Sequence, residues 1–161
     1  AVALDNSLST AVVADGRPVL DRLRAAADAA LRDAAPADRV WLVTADGRVT
    51  GGEADAVREA LRQAEPLAGA GDLPAATLRA AELVRGARLA NAAVVVVTDG
   101  QATAWRTPID LQATRTLVVA PLGDGPPPRN RAVVAAAARP PRWTPAGAVV
   151  ARVDGSDSAA Y

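Results

Sequence analysis

The sequence predicts an α/β fold: a doubly wound, mostly parallel sheet with helices on both faces and one antiparallel edge strand, followed by a truncated β segment. Two observations lead to this fold class. Short apolar runs, typical of strands buried on both faces, alternate with longer segments whose apolar residues recur every three or four positions. In addition, an Asp-Gly pair between two β-prone runs indicates a hairpin and therefore an antiparallel strand.

The first half of the chain supplies three predicted strands and two predicted helices. They are a strand at 1–4, a helix at 19–31, a strand at 40–44, its hairpin partner at 48–50 and a helix at 53–64. Pro18 suits the first turn of the first helix, and Pro36 stops it. Asp46 and Gly47 form the predicted hairpin turn.

The second half continues the pattern and then changes character. The predicted elements are a helix ending near 86, a buried strand at 92–97, a short helix near 109–114 and a buried strand at 116–120. Asp72 is well placed to cap the helix that has Pro74 in its first turn. The α/β domain is thus expected to span 1–122, with a Gly/Pro linker at 123–130 and the start of a further β domain at 131–161.

Composition narrows the possible chemistry. The chain of 161 residues has no Cys and no His, and it carries 18 basic and 18 acidic residues, with Arg as the only basic type. The balanced charge gives no support for nucleic-acid binding. Without His or Cys, a metal would have to be bound by oxygen, which favours hard cations such as magnesium, calcium or manganese. The core must be built from Ala, Val and Leu, with close backbone approach between elements.

The chain has neither an initiator Met nor a signal peptide, and it opens within a strand. We therefore expect it to be a piece of a longer protein. Its unbroken apolar runs are far shorter than the roughly 20 residues of a membrane helix, so we expect this piece to be soluble and to make no membrane contact of its own.

A polar cluster follows the first strand. Asp5, Ser7 and Ser9 stand at alternate positions, so in an extended loop their side chains would face one way. Asp99 ends another apolar strand. Since ligands bind at the carboxyl ends of strands in such sheets, we expect these four side chains to offer oxygens to one cation.

These residues resemble the metal-ion-dependent adhesion site of the von Willebrand factor A (vWA) domain, a Rossmann-like fold, over roughly residues 1–122. The Asp-Asn-Ser-Leu-Ser opening and the Val-Val-Thr-Asp-Gly-Gln stretch are most similar to bacterial membrane-anchored vWA proteins of the aerotolerance (Bat) type. The resemblance implies a parent protein tied to the membrane. It assigns Asp5, Ser7 and Ser9 to the first metal loop and Asp99 to the third.

The second metal loop departs from the family pattern. Gly71 stands where the family usually has a Thr, and Thr77 lies too far into the helix to replace it. Water or Asp72 could supply the missing oxygen. Mg²⁺ or Mn²⁺ is therefore the expected cation, with one ligand position in question.

Three functions remain open. The first is a non-catalytic interaction module whose cation is bridged by an acidic side chain of a protein partner. The second is a metal-free scaffold with a degenerate site, which would bind through the surface around Trp105. Packing in the core would explain Trp105 equally well.

The third function is enzymatic: a haloacid dehalogenase-like phosphatase with Asp5 as nucleophile. That chemistry usually needs an Asp at the position of Ser7 and a Lys, which the chain lacks. A serine hydrolase would lack its His.

Overall fold

The computed structural model describes residues 1–105, 108–112, 114–121, 131–139 and 145–155. The chain divides into two compact units, Ala1–Asp124 and Gly125–Tyr161. The expected linker at 123–130 lies outside the described residues.

The first unit contains seven strands and three α-helices among its described residues. In chain order they are β1 (Val2–Leu4), β2 (Val13–Ala14), β3 (Arg17–Pro18), α1 (Val19–Ala30), β4 (Val40–Thr44), β5 (Val49–Gly52), α2 (Ala54–Gln63), α3 (Leu73–Gly86), β6 (Val94–Val97) and β7 (Thr116–Val119). Short 3₁₀ helices lie at Leu8–Ala11 and Ala102–Trp105.

The central sheet has the strand order β5-β4-β1-β6-β7. All its pairings are parallel except that of β4 with β5, which is the expected hairpin around Asp46 and Gly47. The fold class predicted from the sequence is therefore confirmed. The first strand of the chain lies in the middle of the sheet, so its carboxyl end falls at the centre of one sheet edge.

Helices cover both faces of the sheet, and the alternation of side chains along β1 shows how. Val2 and Leu4 pack with the buried residues of α1 and α2 on one face. Ala3, between them, packs with those of α3 on the other face. The α3 layer is built largely from alanine, which allows the helix to lie close to the sheet.

One small element was missed by the sequence analysis. Asp15 and Gly16 form the turn between β2 and β3, with φ values of +50° and +77°. This turn carries the same Asp-Gly signal as the predicted hairpin. The hairpin was not predicted because the two strands that flank the turn are only two residues long, too short to show an alternating pattern.

Two expectations for the end of the first unit were wrong. Strand β7 was predicted to be buried, but Leu117 and Val118 are 59% and 57% exposed. An apolar run cannot distinguish a central strand from an edge strand, and β7 lies at the edge. The short helix expected near 109–114 is absent from the described part of that segment, where Gln112 adopts a φ of +46° that is incompatible with a helix.

The second unit contains an antiparallel pair among its described residues, β8 (Arg131–Arg139) and β9 (Ala148–Gly155). Its register shifts between Val133 and Ala135. Valines of both strands are exposed, among them Val133, Val149 and Val153. In the parts of the chain that the structure describes, no helix is long and apolar enough to cross a membrane.

We predict that Leu23→Ala will lower the free energy of unfolding by about 2–5 kcal/mol, because the Leu23 side chain is fully buried between α1 and the sheet. The matched control is Leu117→Ala on the exposed edge, which should change it by less than about 0.5 kcal/mol. Urea denaturation measures both values. Equal losses would mean that the edge strand is covered in solution and would contradict the exposure described above.

Candidate functional site

The register of β1 and β6 brings the predicted site residues to the same place. Leu4 lies level with Val97 across the parallel pair, and the backbone N–H of Asp5 donates to the carbonyl of Val97 at 2.9 Å. Asp5 therefore leaves the sheet beside Thr98 and Asp99, at the carboxyl edge where parallel strands present ligand-binding residues.

The carboxylate of Asp5 is buried and accepts two hydrogen bonds. One oxygen accepts from the backbone N–H of Ser7 at 3.0 Å, and the other accepts from the hydroxyl of Thr98 at 3.1 Å. These bonds offset part of the cost of removing a carboxylate from water. Each oxygen keeps a further lone pair that can accept another hydrogen bond or coordinate a cation.

A chain of hydrogen bonds joins the remaining predicted residues. The Ser9 hydroxyl donates to Asp99 Oδ2 at 2.6 Å, and the two serine Oγ atoms are 3.0 Å apart. Because Ser9 has one hydroxyl hydrogen and gives it to Asp99, Ser7 must be the donor to Ser9. The other oxygen of Asp99 accepts from the backbone N–H of Gln101 at 3.1 Å. The structure thus brings Asp5, Ser7, Ser9 and Asp99 together.

The two serine hydroxyls converge for a different structural reason from the one predicted. Alternation along an extended loop was expected to align Ser7 and Ser9, but a 3₁₀ helix begins at Leu8, directly after Ser7. The backbone N–H of Thr10 donates to the carbonyl of Ser7, and so does its hydroxyl. The tight turn places the two serine hydroxyls together while Leu8 points outward, 55% exposed.

The segment between α2 and α3 holds the first loop from the other side. The backbone N–H of Leu67 donates to the carbonyl of Asn6 at 2.7 Å, and that of Leu8 donates to the carbonyl of Gly69 at 3.0 Å. The side-chain amide of Asn6 adds a bond to the carbonyl of Glu65 at 3.0 Å. On the side of 65–69 the first loop is therefore held by backbone groups, which depend on residue type only in that position 67 cannot be proline.

Gly71 packs tightly against the sheet. A Cβ placed on Gly71 would lie 2.5 Å from the Cβ of Ala45, far inside contact distance. The backbone N–H of Asp72 donates to the carbonyl of Ala45 at 2.8 Å, which holds this approach in place. With this backbone, position 71 has no room for a threonine side chain.

The other two residues considered for the second loop have structural partners. Asp72 caps α3 as expected, because its carboxylate accepts from the backbone N–H of Ala75 at 2.9 Å. Asp72 also lines a cleft that the other predicted site residues share. Thr77 is buried within α3, and its hydroxyl donates to the carbonyl of Leu73 at 2.8 Å. Neither of these hydrogen bonds brings a hydroxyl group to the place where the family usually has a Thr.

The predicted residues line a cleft of about 560 Å³. Asp5, Asp72 and Asp99 contribute three carboxylates, and no basic side chain is among the described residues that line it. These carboxylates take part in none of the ion pairs formed by the described residues. The cleft is therefore a region of negative potential.

Part of the cleft wall is apolar. It includes Leu8, Leu73, Pro74 and Ala104. Trp105, considered as an exposed anchor at the rim, is half-buried and packs against the core beneath α3. Leu8 is a large apolar side chain exposed at the cleft, and the sequence analysis had not singled it out.

The donor set suits a small hard cation. Two carboxylates and two hydroxyls are joined in one network, and each retains unused lone pairs. Among the described residues, no three or more Asp, Glu, His or Cys side chains form a group that could hold a metal ion. A cation in this cleft would therefore rely on Ser7, Ser9 and water for part of its coordination.

Two residues that hydrogen-bond to the predicted site were not predicted from the sequence. Thr98 and Gln101 each donate to a predicted carboxylate, although neither had been assigned a role. The signal for Thr98 was present in the Thr-Asp-Gly triplet that ends β6. Gln101 acts through its backbone N–H, so its residue type carries no signal.

Comparison with known families agrees with this geometry. The family model of the von Willebrand factor type A domain matches residues 1–101, more than half of the chain. The chain therefore belongs to the von Willebrand factor type A domain family. No protein of curated function matches it significantly in sequence.

We predict that Gly71→Ala will destabilise the domain by about 1–3 kcal/mol, because the added Cβ meets the Cβ of Ala45. Gly69→Ala is the matched control and should be nearly neutral, since a Cβ at Gly69 would meet no atom within 4 Å. Adding Ala45→Gly should restore part of the loss in Gly71→Ala. Denaturant titrations report all of these, and a neutral Gly71→Ala would show that the close approach is wrong.

Proposed function

We propose that this domain is a non-catalytic protein-interaction module that binds its partner through a divalent cation, Mg²⁺ or Mn²⁺. Domains of its family commonly serve in protein interaction. The observation that carries the proposal is the hydrogen-bonded set of Asp5, Ser7, Ser9 and Asp99 at the floor of one cleft. A bound cation would offer an open coordination position to an acidic side chain of the partner.

The charge of the cleft supports a cation-dependent interaction. An acidic side chain approaching three carboxylates with no basic residue in the described lining would be repelled. A bound divalent cation would turn this repulsion into attraction. It offsets the local negative charge and leaves a coordination position for one more anionic oxygen. Binding of the partner should therefore require the cation.

Phosphatase chemistry fits the same cleft less well. A phosphate group would meet carboxylates without a basic side chain to hold it among the described lining residues. Ser7 stands where a general acid would be needed, and its hydroxyl is committed to Ser9. Turnover of a phosphate ester that depends on Asp5 would nonetheless overturn the proposal.

A metal-free interaction module is the second candidate, and the packing of Gly71 favours it. The second loop brings no hydroxyl to the cleft, so the affinity for a cation is lower than with a full set of ligands. Partner binding that persists in excess chelator would select this alternative.

We further propose that the parent protein is a bacterial, membrane-anchored protein of the Bat type. Its support is the Asp-Asn-Ser-Leu-Ser and Val-Val-Thr-Asp-Gly-Gln segments. The proposal requires apolar spans of about 20 residues elsewhere in the parent sequence, and sequencing the gene beyond these 161 codons tests it.

We predict that Mg²⁺ and Mn²⁺ will raise the thermal stability of the domain and that Asp5→Ala will abolish the effect. At ten times its dissociation constant, a cation bound only by the folded state stabilises by about 1.4 kcal/mol. Because Asp5 is buried, Asp5→Asn should be compared as well, since it removes the charge with little change in shape. Scanning calorimetry with and without the cation gives the shift.

Asp46→Ala is the matched control for this experiment. Asp46 follows β4 at the same edge of the sheet but does not line the cleft. Its removal should leave the cation-dependent shift intact, whatever it does to the stability without cation. Absence of any shift in the wild-type chain at millimolar cation would contradict the proposed site.

A further inference from the structure

We infer that Thr98 is a positioning residue of the cation site, and that its hydroxyl fixes the rotation of the Asp5 carboxylate. This inference rests on the proposed cation site and deepens it. Thr98 is the last residue before Asp99 and is 1% exposed, so it does not face the cleft. It can therefore affect a cation only through the groups it contacts, and the carboxylate among them is that of Asp5.

The geometry of Asp5 gives the physical reason. The torsion that rotates a carboxylate about its Cβ–Cγ bond has broad and shallow minima, so one hydrogen bond leaves it poorly defined. Asp5 has a bond to each oxygen: the N–H of Ser7 donates to Oδ1, and the hydroxyl of Thr98 donates to Oδ2. Two donors from different loops fix the plane of the carboxylate and the direction of its remaining lone pairs.

The hydroxyl of Thr98 is itself oriented by the turn that follows it. The backbone N–H of Gly100 donates to Thr98 Oγ1 at 3.1 Å. That contact occupies an acceptor site of the hydroxyl and leaves its hydrogen directed to Asp5. Gly100 adopts a φ of +78°, which glycine tolerates without strain.

The same turn carries Asp99, so one short segment sets both carboxylates. Asp99 lies between Thr98 and Gly100 in sequence and is held by Ser9 and by the N–H of Gln101. Thr98 therefore ties the first loop to the third at the point where a cation would need both. The hydroxyl is what matters here; a valine would fill the same volume without donating.

The test compares Thr98→Val with Thr98→Ser in the full 161-residue chain. Calorimetric titration with Mg²⁺ and Mn²⁺ gives the dissociation constants. Loss of a residue that orients a metal ligand costs roughly 10–100-fold in affinity, so Thr98→Val should bind at least about tenfold more weakly. Thr98→Ser keeps the hydroxyl and should bind within about twofold of the wild type.

Thr77→Val separates positioning from stability. Thr77 is equally buried and also donates within the fold, but to the carbonyl of Leu73, away from Asp5. Both valine variants should lose stability, whereas only Thr98→Val should lose cation affinity. Should Thr98→Val fail to fold, Thr98→Ala removes the hydroxyl without adding bulk and carries the same expectation.

The results separate the role of Thr98 from the existence of the cation site. A wild-type chain that binds no cation overturns both. A wild-type chain that binds, together with a Thr98→Val variant of equal affinity, overturns the role of Thr98 and leaves the cation site standing. Equal weakening in Thr77→Val would show that affinity follows stability, and it would also overturn the role of Thr98.

Discussion

The position of β1 between β4 and β6 is the constraint on which the rest of the structure depends. Both neighbours run parallel to it, so the backbone groups of Val2–Leu4 are paired on both sides and the strand ends at the middle of the sheet edge. Asp5 follows directly and is 1% exposed. A carboxylate at that depth needs donors, and the N–H of Ser7 and the hydroxyl of Thr98 supply them. The arrangement of the candidate site follows from satisfying this one buried charge.

The small side chains of the core explain the departure at the second loop. The layer between α3 and the sheet contains Ala76 and Ala80 of the helix together with Ala3 and Ala45, and these small side chains let the helix and the preceding loop lie close to the sheet. At Gly71 this approach leaves too little space even for a Cβ. The glycine is therefore matched to Ala45, and the absence of a hydroxyl at position 71 is a consequence of packing that a Gly71→Thr substitution alone would not reverse.

The sequence predicted the parts that depend on local pattern. The fold class, the hairpin at Asp46 and the capping of α3 by Asp72 follow from periodicity and turn chemistry, and the structure confirms them. The exposure of β7 was not predictable, because burial of an edge strand depends on what lies beside it and not on its own residues.

For the candidate site, the sequence indicated the residues but not their connections. Asp5, Ser7, Ser9 and Asp99 stand in recognisable motifs and do converge. The bond from Thr98 to Asp5 spans 93 positions, and the contact of Gly71 with Ala45 depends on how α3 packs. Such long-range contacts leave no local signature in a single sequence.

A cation bound at the ends of β1 and β6 can be located directly in solution with paramagnetic Mn²⁺. Mn²⁺ added in small amounts broadens the nuclear magnetic resonance signals of nearby nuclei. We expect the amide signals of Ser7, Ser9 and Gln101 to broaden first. Within the central sheet, the signals at the opposite edge, such as those of Val40 and Val94, should be the last to change. Broadening centred elsewhere in the chain, or none at millimolar Mn²⁺, would contradict a cation site at the ends of β1 and β6.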